Sequence, residues 1–228
     1  MAIKLTTTRQ AAHSNGVKIL VYGQAGAGKT VLSATTGGNP LIISAEAGLL
    51  SLRNTDLAVA EVQSYDDLME IYKALVSDNP DFRDFDWICI DSISEIAEVI
   101  LNKAKKDCSD GRQAYGVLSE QMQDLIRAFR DLPRNIYMSA KMEKQKDDES
   151  GRMMYQPSAP GAKIGQALPY FFDEVFVIRV EKNQESGEME RWLQTQPDYN
   201  YTAKDRSGGL DTFEKPDLAH IAAKILNP

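Results

Sequence analysis

Six short apolar runs, VKILVY, PLIISA, LAVAEV, DWICID, NIYMSA and EVFVIRV, recur along the chain, with stretches between them whose apolar residues return every three or four positions. Short continuous runs fit buried strands, and the three- and four-residue returns fit one face of a helix. Their alternation predicts an α/β fold with a mostly parallel central sheet and helices on its faces. The predicted helices are SYDDLMEIYKALVSD, SISEIAEVILNKAKK and YGVLSEQMQDLIRAFRDL, in which Met69, Ile96 and Met122 read as core. Ser64 followed by Asp67 gives the first helix a capping-box start. After Asp173 the rhythm changes: EVFVIRVEKNQESGEMERWLQTQ reads as two strands joined by a Gly-containing turn, an antiparallel extension of the sheet. PDLAHIAAKILN reads as a closing helix with Pro216 in its first turn. Residues 141–162, rich in charge, Gly, Pro and Ser, show neither period and read as the longest structureless stretch, a kind of loop that is commonly functional.

Directly after VKIL the chain reads VYGQAGAGKT, and from Gly23 the spacing is G-x-x-x-x-G-K-T. Glycines in this arrangement let the backbone of Gly23, Gln24, Ala25, Gly26, Ala27 and Gly28 curl so that its N–H groups cradle phosphate oxygens. The loop opens a helix, over KTVLSATT, whose N-terminus favours negative charge. Lys29 would reach the outer phosphates, Thr30 would place a hydroxyl on Mg²⁺, and Val31 follows in the same cradle. A second element should be an acid ending a buried strand, and Asp91 at the end of DWICID is the best candidate in the chain. No Glu follows it, so a catalytic base must come from elsewhere. Glu46, beyond PLIISA, would stand at the same C-terminal rim of a parallel sheet and could activate water there; the alternative is a surface Glu capping the next turn. Glu95 and Glu98 read as solvated helix positions. The chain has no Asn-Lys-x-Asp guanine reader, which favours ATP over GTP.

The 228 residues suffice for one large α/β domain, expected over residues 17–228 after an N-terminal arm at 1–16. MAIKLTTTRQ lacks the apolar core of a signal peptide, and no run approaches the ~18 apolar residues of a membrane span, so a cytoplasmic protein is expected. Cys89 and Cys108 lack metal-ligand spacing and read as reduced and non-catalytic. A net charge of −7 argues against a generally basic nucleic-acid-binding surface. Local basic segments remain: Lys103, Lys105, Lys106 and Arg112 face Asp107 and Asp110, while Lys141, Lys144, Lys146, Arg152 and Lys163 face Glu143, Asp147, Asp148 and Glu149.

The P-loop, the Glu of SAEAG and the Asp-Ser of WICIDS together resemble the RecA-type recombinase ATPase core. YGVLSEQMQDLIRAFRDLPRNIYMSAK is similar to the helix and strand between that core's two DNA loops, and PGAKIGQALPYFFDEVFVIRVE to the end of the second loop and the strand after it. YTAKDRSGG resembles the Lys-x-Arg finger segment of RecA-superfamily hexameric helicases, with Lys204 and Arg206 in the finger positions. The resemblance spans roughly residues 17–210. With no large added domain, the chain looks most like the minimal phage RecA-core proteins of the Sak-four type, single-strand annealing proteins that act with single-stranded-DNA-binding protein. RecA ends its sensor strand with Gln, whereas the stretch here is MSAKM, offering Ser139 or Lys141.

The resemblance implies a RecA-like fold and an oligomeric Mg·ATP-dependent ATPase, in a filament or ring, in the cytoplasm of a phage-infected host cell. Glu46 would be the base, Thr30 and Asp91 would order the metal, and Lys204 and Arg206 would complete a neighbour's site. Single-stranded DNA would run along residues 103–116 and 141–165, with Lys103, Lys105, Lys106, Arg112, Arg152 and Lys163 on phosphates and Tyr115, Met154 and Tyr155 on bases. The rival readings are a small-molecule kinase and a nucleotide-gated scaffold with little turnover. A kinase usually carries an arginine-bearing lid near the P-loop, yet Arg53 is the only Arg between residues 10 and 82.

Overall fold

The central strand, β1 (Lys18–Gly23), is buried along its whole length. The computed structural model describes residues 5–8, 10, 15–46, 48–147 and 151–227, so most of the arm expected at 1–16 lies outside the described residues. Parallel neighbours flank β1 on both sides, β5 (Asn135–Lys146) and β7 (Glu174–Lys182). Beyond β5 come β4 (Trp87–Asp91), β2 (Pro40–Ser44) and β3 (Ala58–Glu61), all parallel. Beyond β7 the pairing turns antiparallel, through β8 (Met189–Gln194) to β10 (Phe213–Glu214). Two further antiparallel strands attach at the side: β6 (Met153–Ser158) to β5, and β9 (Lys204–Asp205) to the start of β7. The mostly parallel sheet with an antiparallel C-terminal extension is the expected RecA-like P-loop architecture.

Burial on both faces explains why the central strands are apolar without interruption. Successive side chains point to opposite faces, so Leu20 and Tyr22 enter one core while Ile19 and Val21 enter the other. The first core is covered by α2 (Tyr65–Val76), α3 (Ile93–Asp107), α4 (Gly111–Arg130) and α5 (Ala162–Phe171). The second is covered by α1 (Lys29–Leu32), which tightens at once into a 3₁₀ turn at Ser33–Thr35, and by α6 (Leu218–Leu226). Ser64 caps α2 by accepting from the Asp67 N–H at 3.1 Å, and the Asp67 carboxylate accepts from the Gln63 N–H at 2.9 Å. Ser92 caps α3 in the same way, accepting from the Glu95 N–H.

Several sequence expectations are corrected. Met69 is only half-buried, and Leu68 and Leu75 carry that contact with the core. Helix α4 starts at Gly111, four residues before the expected Tyr115, because Asp110 caps it by accepting from the Arg112 N–H. Pro216 precedes the α6 cap, which is Asp217. The largest correction concerns residues 141–162, which are not structureless. Strand β5 continues to Lys146 and pairs with β6 from Lys141↔Ser158 to Lys146↔Met153, so most of the stretch is a two-stranded ribbon running into α5. Among the described residues, no helix is long and apolar enough to cross a membrane.

Candidate nucleotide-binding site

The P-loop follows from β1 ending at Gly23 beneath Ile178, where a Cβ on the glycine would run into that side chain. The chain then curls through Gly26 and Gly28, at φ 74° and 108°, in the left-handed region where a Cβ is strained. Lys29 to Leu32 form only one helical turn, yet that turn sets the N–H groups of the loop at a helix start. The Lys29 amine folds back onto the carbonyls of Gly23 and Gln24, both at 2.9 Å, and burial holds it below the ordinary lysine pKa. The buried Tyr137 hydroxyl donates to the Lys29 carbonyl at 2.7 Å and fixes the helix start against β5.

Three parallel strands, β2, β4 and β5, bring groups to this loop. Thr30 donates its hydroxyl to Asp91 Oδ2 at 2.6 Å, and the buried Ser139 of β5 donates to Asp91 Oδ1. Glu46 sits two residues past β2 and accepts from the Ser92 hydroxyl at 2.8 Å, across a 46-residue separation in sequence. Asp91 and Ser92, joined by a cis peptide bond, therefore tie the P-loop helix to one side and Glu46 to the other. Lys141, two residues past Ser139, donates to Glu95 Oε2 at 2.7 Å, which raises its pKa. A cavity of about 860 Å³ lies over these groups, lined by the P-loop, Glu46, Asp91, Lys141 and, from the C-terminal hairpin, Ile178 and Arg191. Every P-loop residue expected from the sequence except Ala27 lines it; Ala27 is buried beneath the loop.

The donor set fits a magnesium nucleotide. A hydroxyl and a carboxylate at hydrogen-bonding distance, beside a phosphate cradle, offer the few hard oxygen ligands Mg²⁺ takes when phosphates supply others. Among the described residues there is no cluster of three or more His, Cys, Asp or Glu that could form an all-protein metal cage.

The family model of the AAA domain, AAA_24, matches residues 15–207, which include the whole of this cavity's P-loop, both carboxylates and the hairpin arginine. The chain belongs to the AAA domain family. No curated protein matches it. Among solved structures, a KaiC-like protein from the hyperthermophilic archaeon Pyrococcus horikoshii OT3 is similar at 14% identity, with a TM-score of 0.46 and 83% of each chain covered. Family membership makes the cavity that of a P-loop ATPase.

In this AAA domain protein, Lys204 and Arg206 do not join the P-loop. Lys204 opens β9 and Arg206 follows it; β9 pairs with Glu174 and Val175 at the start of β7, whereas the P-loop stands at the far end of the parallel strands. Contrary to a free exposed tip, Lys204 donates to the Pro169 carbonyl at 2.7 Å and is held below the ordinary lysine pKa by burial. Arg206 is 61% exposed and pairs with Asp173 at 2.6 Å. The segment is anchored by Glu174, whose buried carboxyl is pushed up to about 8 by burial and by Asp205, its cross-strand partner. Glu174 Oε1 accepts from the Ser207 N–H at 3.1 Å, which fastens the turn after β9 to the start of β7.

The basic segments of the AAA domain protein lie together. Lys103, Lys105 and Lys106 occupy the end of α3, and Arg112 and Tyr115 the first turns of α4, so residues 103–116 are two helix ends joined by a short turn. Lys103 pairs with Asp66, and Lys105 stands over the Tyr115 ring at 5.8 Å. A Cβ at Gly161 would lie 3.6 Å from a Tyr115 ring carbon, which brings this corner against the end of the ribbon. On the ribbon, Lys144 stands over Tyr155, whose other neighbour is Tyr201, stacked at 4.9 Å. Tyr155 is thus less open to a base than its sequence context implies, and Met154 is half-buried beside it. Tyr199, which no motif marks in the sequence, is 72% exposed with Arg152 over its ring at 4.7 Å. The side chain of Lys163 lies outside the described residues. Ser139, a sensor candidate from the sequence, is bonded to Asp91, while the Ser92 contact with Glu46 and the reach of Arg191 into the cavity became legible only in the fold.

Proposed function

We propose that this P-loop ATPase hydrolyses ATP with Mg²⁺ in an assembly of its own copies, binds single-stranded DNA and promotes strand annealing in phage recombination, acting with a single-stranded-DNA-binding protein. The reading rests on strand β5. One continuous strand carries Ser139, bonded to Asp91, then Lys141 in the cavity, then Lys144 on the ribbon beside Tyr155. A change at the nucleotide therefore has a short covalent route to the basic ribbon. The Lys141 N–H donates to Ser94 Oγ at 2.8 Å, and Ser94 in turn donates to the Ser158 carbonyl of β6, which fastens the ribbon to the helix that follows Asp91.

In the proposed reaction the P-loop N–H groups and Lys29 bind the phosphate chain. Thr30 and Asp91 hold Mg²⁺, which when bound neutralises phosphate charge. Glu46, oriented by Ser92, accepts a proton from the water whose oxygen forms the new bond to the γ-phosphorus as the bond to ADP breaks. Ser139 or Lys141 senses the γ-phosphate. Lys204 and Arg206 serve a neighbour's nucleotide, in a filament or ring. Residues 17–228 act as one core. AAA domain membership favours this reading over a small-molecule kinase.

The DNA path is tested by fluorescence anisotropy with a labelled oligonucleotide across a salt series. Replacing Lys103, Lys105 and Lys106 with Ala, or Arg152 and Lys163 with Ala, should weaken binding and flatten the log–log salt slope by about one unit per lost phosphate contact. Slopes equal to wild type in both variants would remove DNA from these segments.

A further inference from the structure

Strands β7 and β8 continue past the level at which β1 gives way to the P-loop. The register sets Tyr22 beside Val177, so Arg179 and Val180 lie beyond the P-loop's first glycine, and Arg191 of β8 pairs with Val180. From there the Arg191 side chain reaches across to the loop, and its Nε donates to the Ala27 carbonyl at 3.1 Å. It also fills the space beside Gly28, where a Cβ would stand 3.4 Å from Nε. Arg191 lines the same cavity as Lys29 and Thr30. Among the described residues, no hydrogen bond or ion pair engages its two Nη groups, and no acid neutralises it.

We propose that Arg191 is a phosphate-binding residue of the nucleotide site, supplied in cis by the C-terminal hairpin. The inference rests on the nucleotide-binding reading above and is distinct from the trans role proposed for Lys204 and Arg206. An arginine anchored through Nε keeps its remaining N–H donors in a planar fork suited to phosphate oxygens, and the anchor removes much of the entropy that fixing the fork would cost. A phosphate chain in the cradle would then meet Arg191 from the C-terminal hairpin as well as Lys29 from the loop. Such a contact would also make the C-terminal hairpin part of the site, so nucleotide occupancy would tighten β7 and β8 against the loop.

Isothermal titration of wild type, Arg191→Ala and Arg191→Lys with ATP, AMP and inorganic tripolyphosphate, each with Mg²⁺, tests this. Arg191→Ala should bind ATP and tripolyphosphate about 10- to 100-fold more weakly, the range of a charge-assisted hydrogen bond, with a much smaller change for AMP. Arg191→Lys should recover part of the loss. Wild-type affinity for tripolyphosphate in a folded Arg191→Ala protein would overturn the inference while leaving the P-loop reading intact. An equal loss for AMP and ATP would also overturn it, since the contact would then lie outside the β- and γ-phosphates. Failure of the wild-type protein to bind either ATP or tripolyphosphate would overturn the nucleotide site itself.

Discussion

Lys29→Ala is expected to lower ATP affinity by roughly 100-fold or more while the protein stays folded. A charge-assisted hydrogen bond is worth about 1.5–3 kcal/mol, and the lysine of a P-loop serves two phosphates, so its loss removes more than one such contact. The fold has little to lose. Among the described residues the Lys29 amine hydrogen-bonds only the carbonyls of Gly23 and Gln24 at the rim of the cavity, and burial already disfavours its charge. Thr30, Asp91 and the short helix do not depend on the amine, because Tyr137 holds the helix start through the Lys29 carbonyl, which alanine retains. Calorimetric titration with ATP, alongside a thermal melt, measures both quantities. Wild-type affinity in a folded variant would remove the phosphate cradle from the mechanism.

Arg206→Ala is expected to reduce turnover by roughly 10³ to 10⁵ with ATP affinity nearly unchanged, the range seen for arginines that stabilise charge on a transferring phosphoryl group. Within one chain Arg206 stands at the opposite end of the sheet from Gly23, so any role in catalysis must be exercised on another copy's nucleotide. Its pairing with Asp173 leaves it 61% exposed, and an exposed pair contributes little to stability, so the substitution should not unfold the chain. Neighbouring Lys204 is tied to the Pro169 carbonyl and would have to exchange that bond for a phosphate oxygen. Mixing Arg206→Ala with Lys29→Ala should restore part of the activity, since a mixed interface can join an intact P-loop to an intact finger. With subunit mixing verified by labelled chains, no recovery would count against action in trans.

The reach of the sequence differs from one part of the site to another, for physical reasons. The P-loop and Asp91 were legible because their chemistry is local: glycines at fixed spacing, and an acid closing a strand that is buried on both faces. Glu46 was legible as a rim residue, but the Ser92 hydroxyl that orients it was not, since nothing in SAEAG or WICIDS records that the two segments meet. The ribbon at 141–158 escaped because it runs beyond the body of the sheet. Lys141, Lys144, Gln145 and Lys146 are exposed, so no inward face imposes a period of two. Strand β9 is two residues long and held by its pairing with β7 and by the Ser207 N–H on Glu174, below any periodic signal. Arg191 sits among charged residues in GEMERWLQ, and only the register of β7 and β8 brings it over the P-loop.

The most direct test of the proposed function is the steady-state rate of ATP hydrolysis by the wild-type chain and by Glu46→Gln, each measured with Mg²⁺ in the absence and presence of saturating single-stranded oligonucleotide. Strand β5, running from Ser139 at Asp91 to Lys144 on the ribbon, leads to the expectation that DNA raises the wild-type rate and that Glu46→Gln, a folded protein that still binds ATP, shows turnover lowered by about 10²- to 10⁴-fold in both conditions. A wild-type rate that is the same with and without DNA, and that Glu46→Gln leaves unchanged, would contradict it.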